Sequence, residues 1–385
     1  MYKKKQNFIK NENSKKNLFW INEKIFIISI NFLVLLILWL ILELVTGNYF
    51  FKKKNFVCTK FSFKYIPCNM NNQYILNGLY DYKESSIVYK RDQYGFRGRS
   101  KTIKNIDIIT VGGSTTDERF IDEKLTWSEQ LEYLINNSII SKKIDVVNAG
   151  IDGQSTFGHI WNFENWFNKI DNFSPKYIIF YMGLNERESQ NKYKLNLDFQ
   201  NKNYGYKNLS FFNKIKFLIK INNGFTYSLY RHINNFYITK FSNLTQSVLR
   251  HGNKKYTDHY VVTNNNQLKI NDQFSENLKK RLFKIKNYSE KINTIPIFVT
   301  QRTHRWEKFG DNILHINKST ENYYLKEKYI ANLIKKFSNE NDILFIDLFN
   351  IIQFNQRDTY DYFHTTPSGS FKIAKIIFNN LQIYK

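Results

Sequence analysis

The sequence predicts an α/β fold: a five-stranded parallel sheet with helices on both faces, preceded by one membrane-spanning helix. Three observations predict it. Five short apolar runs with strand character lie between about 106 and 348, and helical stretches separate them. Such runs, alternating with helices, belong to parallel sheets covered on both faces, because each crossover lays a helix over the sheet. Near the N-terminus, the 18 residues from Ile25 to Leu42 carry no charged side chain.

That first segment reads IFIISINFLVLLILWLIL, with Ser29 and Asn31 its only polar residues, and Glu43 to Val45 extend it. As a helix it is just long enough to cross a bilayer core. A lone strand there would leave its backbone groups without partners in lipid. A buried soluble helix and a cleaved signal peptide are the alternatives. The flank ELVTGNYF offers no good small-x-small cleavage site, so an uncleaved signal anchor over 25–45 is expected. Lys3, Lys4, Lys5, Lys10, Lys15, Lys16 and Lys24 precede it, against Glu12 and Glu23. The positive-inside rule then puts the tail 1–24 in the cytoplasm and the remainder outside it, in a periplasm or at a cell surface. Lys52, Lys53 and Lys54 follow the span and soften this bias.

Residues 46–104 are read as a linker and N-terminal cap. They contain the only two cysteines, Cys58 and Cys68, which can close a small disulfide loop in an oxidising compartment or stand as two free thiols. From 105 to 385 an α/β domain is expected. Its strands are IDIITV (106–111), IDVVN (144–148), YIIFYM (177–182), IPIFVT (295–300) and ILFIDL (343–348). One helix carries Trp127, Leu131 and Leu134 at i, i+4, i+7. Others run over about 159–170 and 322–337, and the last follows Pro367. Residues 190–290 break the rhythm. They are rich in Lys, Asn, Phe and Tyr, and are read as a partly helical insertion or lid.

Composition excludes several classes. Across 385 residues, 42% hydrophobic and 17% aromatic content supports a core and excludes global disorder. Two cysteines exclude a disulfide scaffold and a Cys-rich zinc module. Four prolines and 15 glycines exclude collagen-like sequence. No 20–50-residue repeat suggests a solenoid. The net charge of +24 invites a nucleic-acid reading, yet no binding motif accompanies it, and Lys, Asn and Ile crowd every region. No nucleic-acid partner is expected. The charge would attract lipid headgroups or acidic polysaccharide.

In a parallel sheet the ligand crevice lies at the carboxyl ends of the strands, so the residues just past each strand carry the chemistry. After the first comes VGGSTTDERF, where Gly112 and Gly113 allow a sharp turn and Ser114 opens a helix. Ser114 can be a nucleophile whose own N–H faces an oxyanion, or simply a helix cap or part of a phosphate-cradling loop. After the second comes NAGIDGQST, where Asn148 and Gly150 shape a turn and Gly153 can bring a backbone N–H close to a ligand. After the third, MGLNERES places Asn185 beside the same crevice, as an amide donor or a plain turn residue. After the fourth, TQRTHRW brings Arg302, His304 and Arg305 to the crevice as candidate substrate contacts, with surface or structural roles as the alternative. Asp347 lies at the end of the fifth strand and is read as turn-shaping. Near the C-terminus, Asp361 and His364 lie three apart, a spacing at which a carboxylate can orient an imidazole base. A solvated turn histidine is the alternative. No His/Cys/carboxylate cluster has metal spacing, so neither metal nor cofactor is expected.

In this order, GGSTT, NAGIDGQST, GLNE and DYFHTTPSG resemble the four blocks of the SGNH hydrolases, the GDSL-like esterase superfamily. YGFRG at 94–98 is similar to a motif of membrane-anchored members. The resemblance covers roughly 94–185 and 295–385. It implies a flavodoxin-like three-layer sandwich and a serine esterase with Ser114, Asp361 and His364 as catalytic triad. It also implies an oxyanion hole from Ser114, Gly153 and Asn185. Two positions depart from the pattern: Gly113 stands where an Asp often precedes the nucleophile, and Glu186 ends the third block in place of Asp. The expected substrate is an acylated, chiefly O-acetylated, envelope glycan or lipid. Two further readings are an O-acyltransferase to a glycan hydroxyl and a non-catalytic envelope binding or assembly protein.

Overall fold

The computed structural model describes residues 24–45, 66, 68–76, 78–81, 83, 85–98, 101–138, 143–186, 225–226, 229, 233, 260–261, 272–309, 312–315 and 321–381. The chain divides into two units, residues 1–53 with 210–243, and residues 54–209 with 244–385.

In the first unit, α1 (Lys24–Val45) has a mean hydropathy of 3.0 over its apolar window, none of which is buried. Its 22 residues span about 33 Å, against a hydrocarbon core of about 30 Å. Glu43, close to its end, is buried and accepts the Thr226 N–H at 2.8 Å, while the Trp39 indole N–H donates to the Thr226 hydroxyl at 3.1 Å. A carboxylate on so apolar a helix needs such a donor. Thr226 falls inside the expected 190–290 insertion, so this part of that stretch belongs with α1.

The second unit runs in chain order through β1 (Met70–Ile75), β2 (Ser86–Arg91), β3 (Ile106–Gly112), α2 (Ser114–Asp117), α3 (Trp127–Asn136), β4 (Asp145–Asn148), α4 (Thr156–Asn165) and β5 (Tyr177–Met182). Next come β6 (Tyr260–Val261), α5 (Asp272–Lys291), β7 (Ile295–Thr300), β8 (Trp306–Phe309), β9 (Asn312–His315), α6 (Glu321–Glu340), β10 (Leu344–Ile346), α7 (Leu348–Ile351) and α8 (Pro367–Asn380). The five strands expected from sequence form one parallel sheet in the order β10-β7-β5-β3-β4. Numbered along the chain this is the 2-1-3-4-5 order of the flavodoxin-like sandwich, with its switch point between β3 and β5.

Alternation along the strands builds the two faces. Ile109, Val111, Ile178, Phe180 and Phe298 point to one side, under Phe163 of α4, Leu278 and Leu282 of α5, and Ile334 of α6. Ile108, Val146, Ile179, Tyr181, Ile297 and Val299 point to the other, under Trp127 and Leu131 of α3 and Ile373 and Ile377 of α8. Each strand is apolar without interruption because both faces are covered.

Two expected boundaries shift. The insertion does not reach 290: α5 is a crossover helix of the sheet, with Phe274, Leu278, Leu282 and Ile285 buried. The lysines of its outer face hid an ordinary amphipathic stripe. Residue 105 is no domain edge either. The β1–β2 hairpin belongs to the second unit, and Ile66, Cys68 and Phe96 join the main core. Cys68 is disulfide-bonded; Cys58, the only other cysteine of the chain, lies outside the described residues.

His159 on α4 is buried against the Phe180 ring, and neither ring nitrogen has a hydrogen-bond partner among the described residues. Burial drives its pKa down to about 3, so it stays neutral in the fold. The unfolded chain takes up that proton near the ordinary histidine value, so stability is lost as pH falls through about 6.5. At pH 5 the loss is about 2 kcal/mol. His159→Phe is expected to narrow the difference in Tm between pH 7.5 and pH 5; an unchanged difference would refute the assignment.

Candidate active site

The turn after β3 places Ser114 as the first residue of α2, with Gly113 as its N-cap. Its Oγ lies 2.8 Å from Nε2 of His364, although 250 residues separate the two. Nδ1 of the same ring lies 2.6 Å from Asp361 Oδ2. With the Nδ1 proton donated to that carboxylate, Nε2 is left as acceptor for the serine hydroxyl. Asp361 Oδ1 accepts the backbone N–H groups of Phe363 and His364, at 2.7 and 2.6 Å, which fixes the carboxylate toward the ring it serves.

Charge follows this geometry. Burial lowers the His364 pKa, but the hydrogen bond and charge of Asp361 outweigh it, so the imidazole stands above the usual histidine value. Burial raises the Asp361 pKa, and the hydrogen bond and charge of His364 outweigh that in turn, leaving the carboxyl below its ordinary range. Asp361 is thereby favoured in its ionised form, and His364 is made the stronger proton acceptor.

The loops after β4 and β5 close round the serine. Asn185 Nδ2 donates to the Gln154 carbonyl at 2.9 Å. A methyl group on Gly113 would fall 2.3 Å from that same Nδ2 and 3.0 Å from the Gln154 oxygen. The asparagine amide thus lies against the backbone of the residue before Ser114, and only glycine fits there. Gly153 takes a φ of +76°, and a Cβ on it would meet nothing within 4 Å. The N–H groups of Ser114 and Gly153 donate to no group among the described residues. The asparagine amide lies beside the turn that carries Ser114.

Buried bridges that the sequence did not disclose hold these loops together. Glu118, in the left-handed region at φ 45°, accepts the Trp127 N–H at 2.6 Å and the hydroxyls of Thr365, at 2.8 Å, and Ser370. Burial pushes its carboxyl up to about 7, against the pull of those donors. It ties the Ser114 turn to the His364 loop. Gln301, directly after β7, donates to Thr115 Oγ1 at 2.7 Å and accepts the Leu184 N–H at 2.9 Å, joining the first and third loops. Its place after a strand was the signal that could have found it. Arg91 of β2 donates to Asp117 and to the Gly150 carbonyl, both at 2.6 Å. Glu186 accepts the Thr156 N–H at 2.7 Å and pairs with Arg281 of α5 at 3.2 Å. The residue that departs from the expected Asp is therefore a buried brace, and its longer side chain reaches α4 and α5 together.

Of the three candidate contacts after β7, two are engaged by the protein itself. Arg302 is buried, donates to the carbonyls of Ile352 and Trp306 and stacks on the Trp306 ring at 3.7 Å. His304 is buried too, with Nδ1 2.8 Å from the Thr359 hydroxyl and Nε2 3.2 Å from Glu307, and its N–H donates to the Tyr362 carbonyl. Both therefore depart from the substrate role expected of them, because the hairpin of β8 and β9 and the 354–362 loop enclose them. Arg305 is half-buried beside Phe363. Asp347 pairs with Lys335 at 3.3 Å and accepts from Asn350, as a turn residue does. Among the described residues no group of His, Cys, Asp and Glu could hold a metal ion.

No protein-family model matches the sequence, and no curated protein matches it. Among solved structures, it is similar to LAE5, an α/β hydrolase enzyme from the metagenome of Lake Arreo in Spain. Identity is 11% over 72% of this chain and 96% of that one, with a TM-score of 0.41. It is also similar to a catalytic mutant of Axe2, an acetylxylan esterase from Geobacillus stearothermophilus. There identity is 11% over 74% and 97% of the chains, with a TM-score of 0.41.

Two outcomes are expected of this geometry. Asp361→Asn removes the charge that raises His364 and leaves the burial that lowers it. An NMR titration of the ring should then find its pKa below the usual value of about 6.5, and a value unchanged from wild type would break the pairing. Gly113→Ala pushes a methyl into the Asn185 amide. It should leave a folded protein whose turnover of an activated acetate ester falls by about 10²- to 10³-fold; full activity would place Asn185 outside the site.

Proposed function

We propose that this chain is a serine ester hydrolase of the SGNH type, working through an acyl-serine intermediate. The observation that carries the reading is the continuous relay from Ser114 Oγ to His364 at 2.8 Å and on to Asp361 at 2.6 Å. Ser114 Oγ attacks the ester carbonyl while His364 Nε2 takes its proton. The carbonyl oxygen gathers negative charge against the N–H groups of Ser114 and Gly153 and the amide of Asn185. Collapse breaks the bond to the leaving alcohol, which receives the proton from His364. Water then attacks the acyl-serine, losing a proton to His364; the bond to Ser114 Oγ breaks, His364 returns the proton to that oxygen, and the acid is released. Asp361 holds the ring in the productive tautomer and stabilises the imidazolium.

The proposed substrate is an O-acylated, chiefly O-acetylated, glycan or lipid of the cell envelope. The apolar α1 and the lysines before it support a single-pass anchor with the catalytic unit outside the cytoplasm. The disulfide state of Cys68 supports an oxidising compartment. The open face of the crevice, where His364 keeps 30% of its side-chain surface exposed, suits an acyl group presented on a larger carrier.

A fluorophosphonate probe applied to the full chain in detergent should label Ser114 and no other residue, and Ser114→Ala should abolish both labelling and release of acetate from 4-nitrophenyl acetate. Wild-type hydrolysis by Ser114→Ala would refute the mechanism.

A further inference from the structure

Arg305 sits in the turn between β7 and β8, beside the loop that carries Asp361 and His364. Its guanidinium carbon lies 3.9 Å from the centre of the Tyr323 ring and 4.2 Å from that of Phe363, with Tyr362 at 5.9 Å. At these distances the quadrupole of each ring attracts the charge. The rings hold the group beside the 361–364 loop through contacts that use none of its N–H donors. The group carries five N–H donors, and none of them bonds to a protein group among the described residues.

Four other arginines of this unit have polar partners. Arg91 and Arg302 donate to carboxylate or carbonyl oxygens, Arg281 pairs with Glu186, and Arg119 pairs with Asp117 and Asp152. Arg305 alone among these has only aromatic partners. It is also close to the chemistry. Phe363 precedes His364 in the chain, its ring centre lies 6.4 Å from that of His364, and its N–H donates to Asp361.

We infer that Arg305 is the specificity-determining residue of the crevice and reads an oxyanion, a carboxylate or a phosphate, on the substrate whose ester Ser114 attacks. This rests on the ester-hydrolase reading. A guanidinium already held by two aromatic contacts loses less rotamer freedom on binding, and its parallel N–H groups match the two oxygens of a carboxylate or phosphate. The excess of positive charge on the chain would draw such a substrate toward the enzyme. A purely structural Arg305, clamping Phe363, would serve charged and neutral substrates alike.

The test uses the full chain in detergent and three matched sugars: a monoacetylated methyl glucoside, the corresponding glucuronide, and the corresponding 6-phosphate. In wild type, kcat/KM for one charged sugar should exceed that for the neutral one by about 10- to 100-fold. Arg305→Gln should collapse this ratio toward one, and Arg305→Lys should restore part of it. Preference for the glucuronide alone identifies a carboxylate, and preference for the phosphate alone identifies a phosphoryl group. A ratio equal in wild type and Arg305→Gln overturns the inference. If none of the esters is cleaved, the ester-hydrolase reading fails by itself, and calorimetric binding of the same sugars to Ser114→Ala decides the inference separately. Tighter binding of a charged sugar that disappears in Ser114→Ala/Arg305→Gln supports it, and equal binding of all three overturns it.

Discussion

The buried carboxylate of Glu118 joins the turn that carries Ser114 to the loop that carries His364, and the geometry of the site depends on bridges of this kind. A parallel sheet delivers its loops to one edge, but a loop edge alone gives no fixed distance between a hydroxyl and an imidazole 250 residues apart. Glu118 closes that distance with one backbone N–H and two hydroxyls, Gln301 couples the first loop to the third, and Glu186 braces the second against the third and α5. Each bridge is buried, so each polar atom has to be satisfied by a protein partner in one arrangement. Losing one side of such a bond leaves the other stranded, at a cost of about 1–3 kcal/mol. The geometry round Ser114 is therefore bound up with the stability of the fold.

The same reasoning separates the charges that organise the site from those that decorate it. Arg91 and Asp117 are both almost wholly enclosed, and removing either partner would leave a buried charge uncompensated, at about 3–5 kcal/mol. Arg91 also reaches the Gly150 carbonyl, so the β1–β2 hairpin is part of the wall behind the second loop and not a separate cap. Arg119 and Asp152, near the crevice mouth, are roughly half exposed and screened by solvent, and such a pair contributes little to stability. The contrast explains why the hairpin, which carries none of the reacting groups, is continuous with the body of the second unit.

Much of the fold was legible from sequence because its signals are local. Five apolar runs marked five strands within a residue or two, and a charge-free stretch marked α1. The failures were also physical. In α5 the apolar stripe of Phe274, Leu278, Leu282 and Ile285 was diluted by Lys and Asn, so the helix was read as insertion. Thr226 gave no sign that it would meet Glu43 of α1. Arg302 and His304 were placed at the crevice by their position after β7, yet their side chains turn inward, where Trp306, Thr359 and Glu307 engage them.

By itself the sequence determined which residue types come after which strand, and hence that a serine, a glycine loop, an asparagine and an Asp-x-x-His pair would reach one edge of the sheet. That much is a consequence of chain order and of the handedness of crossovers, which leave little choice of edge. Only the tertiary structure decided that Ser114 and His364 stand at hydrogen-bond distance and that Gly113 exists to admit the Asn185 amide. It alone revealed that Arg305 has only aromatic partners among the described residues, while Arg91, Arg281 and Arg302 bond to polar groups. Those facts depend on buried contacts between segments far apart in the chain, and no local pattern encodes a contact whose two halves are read separately.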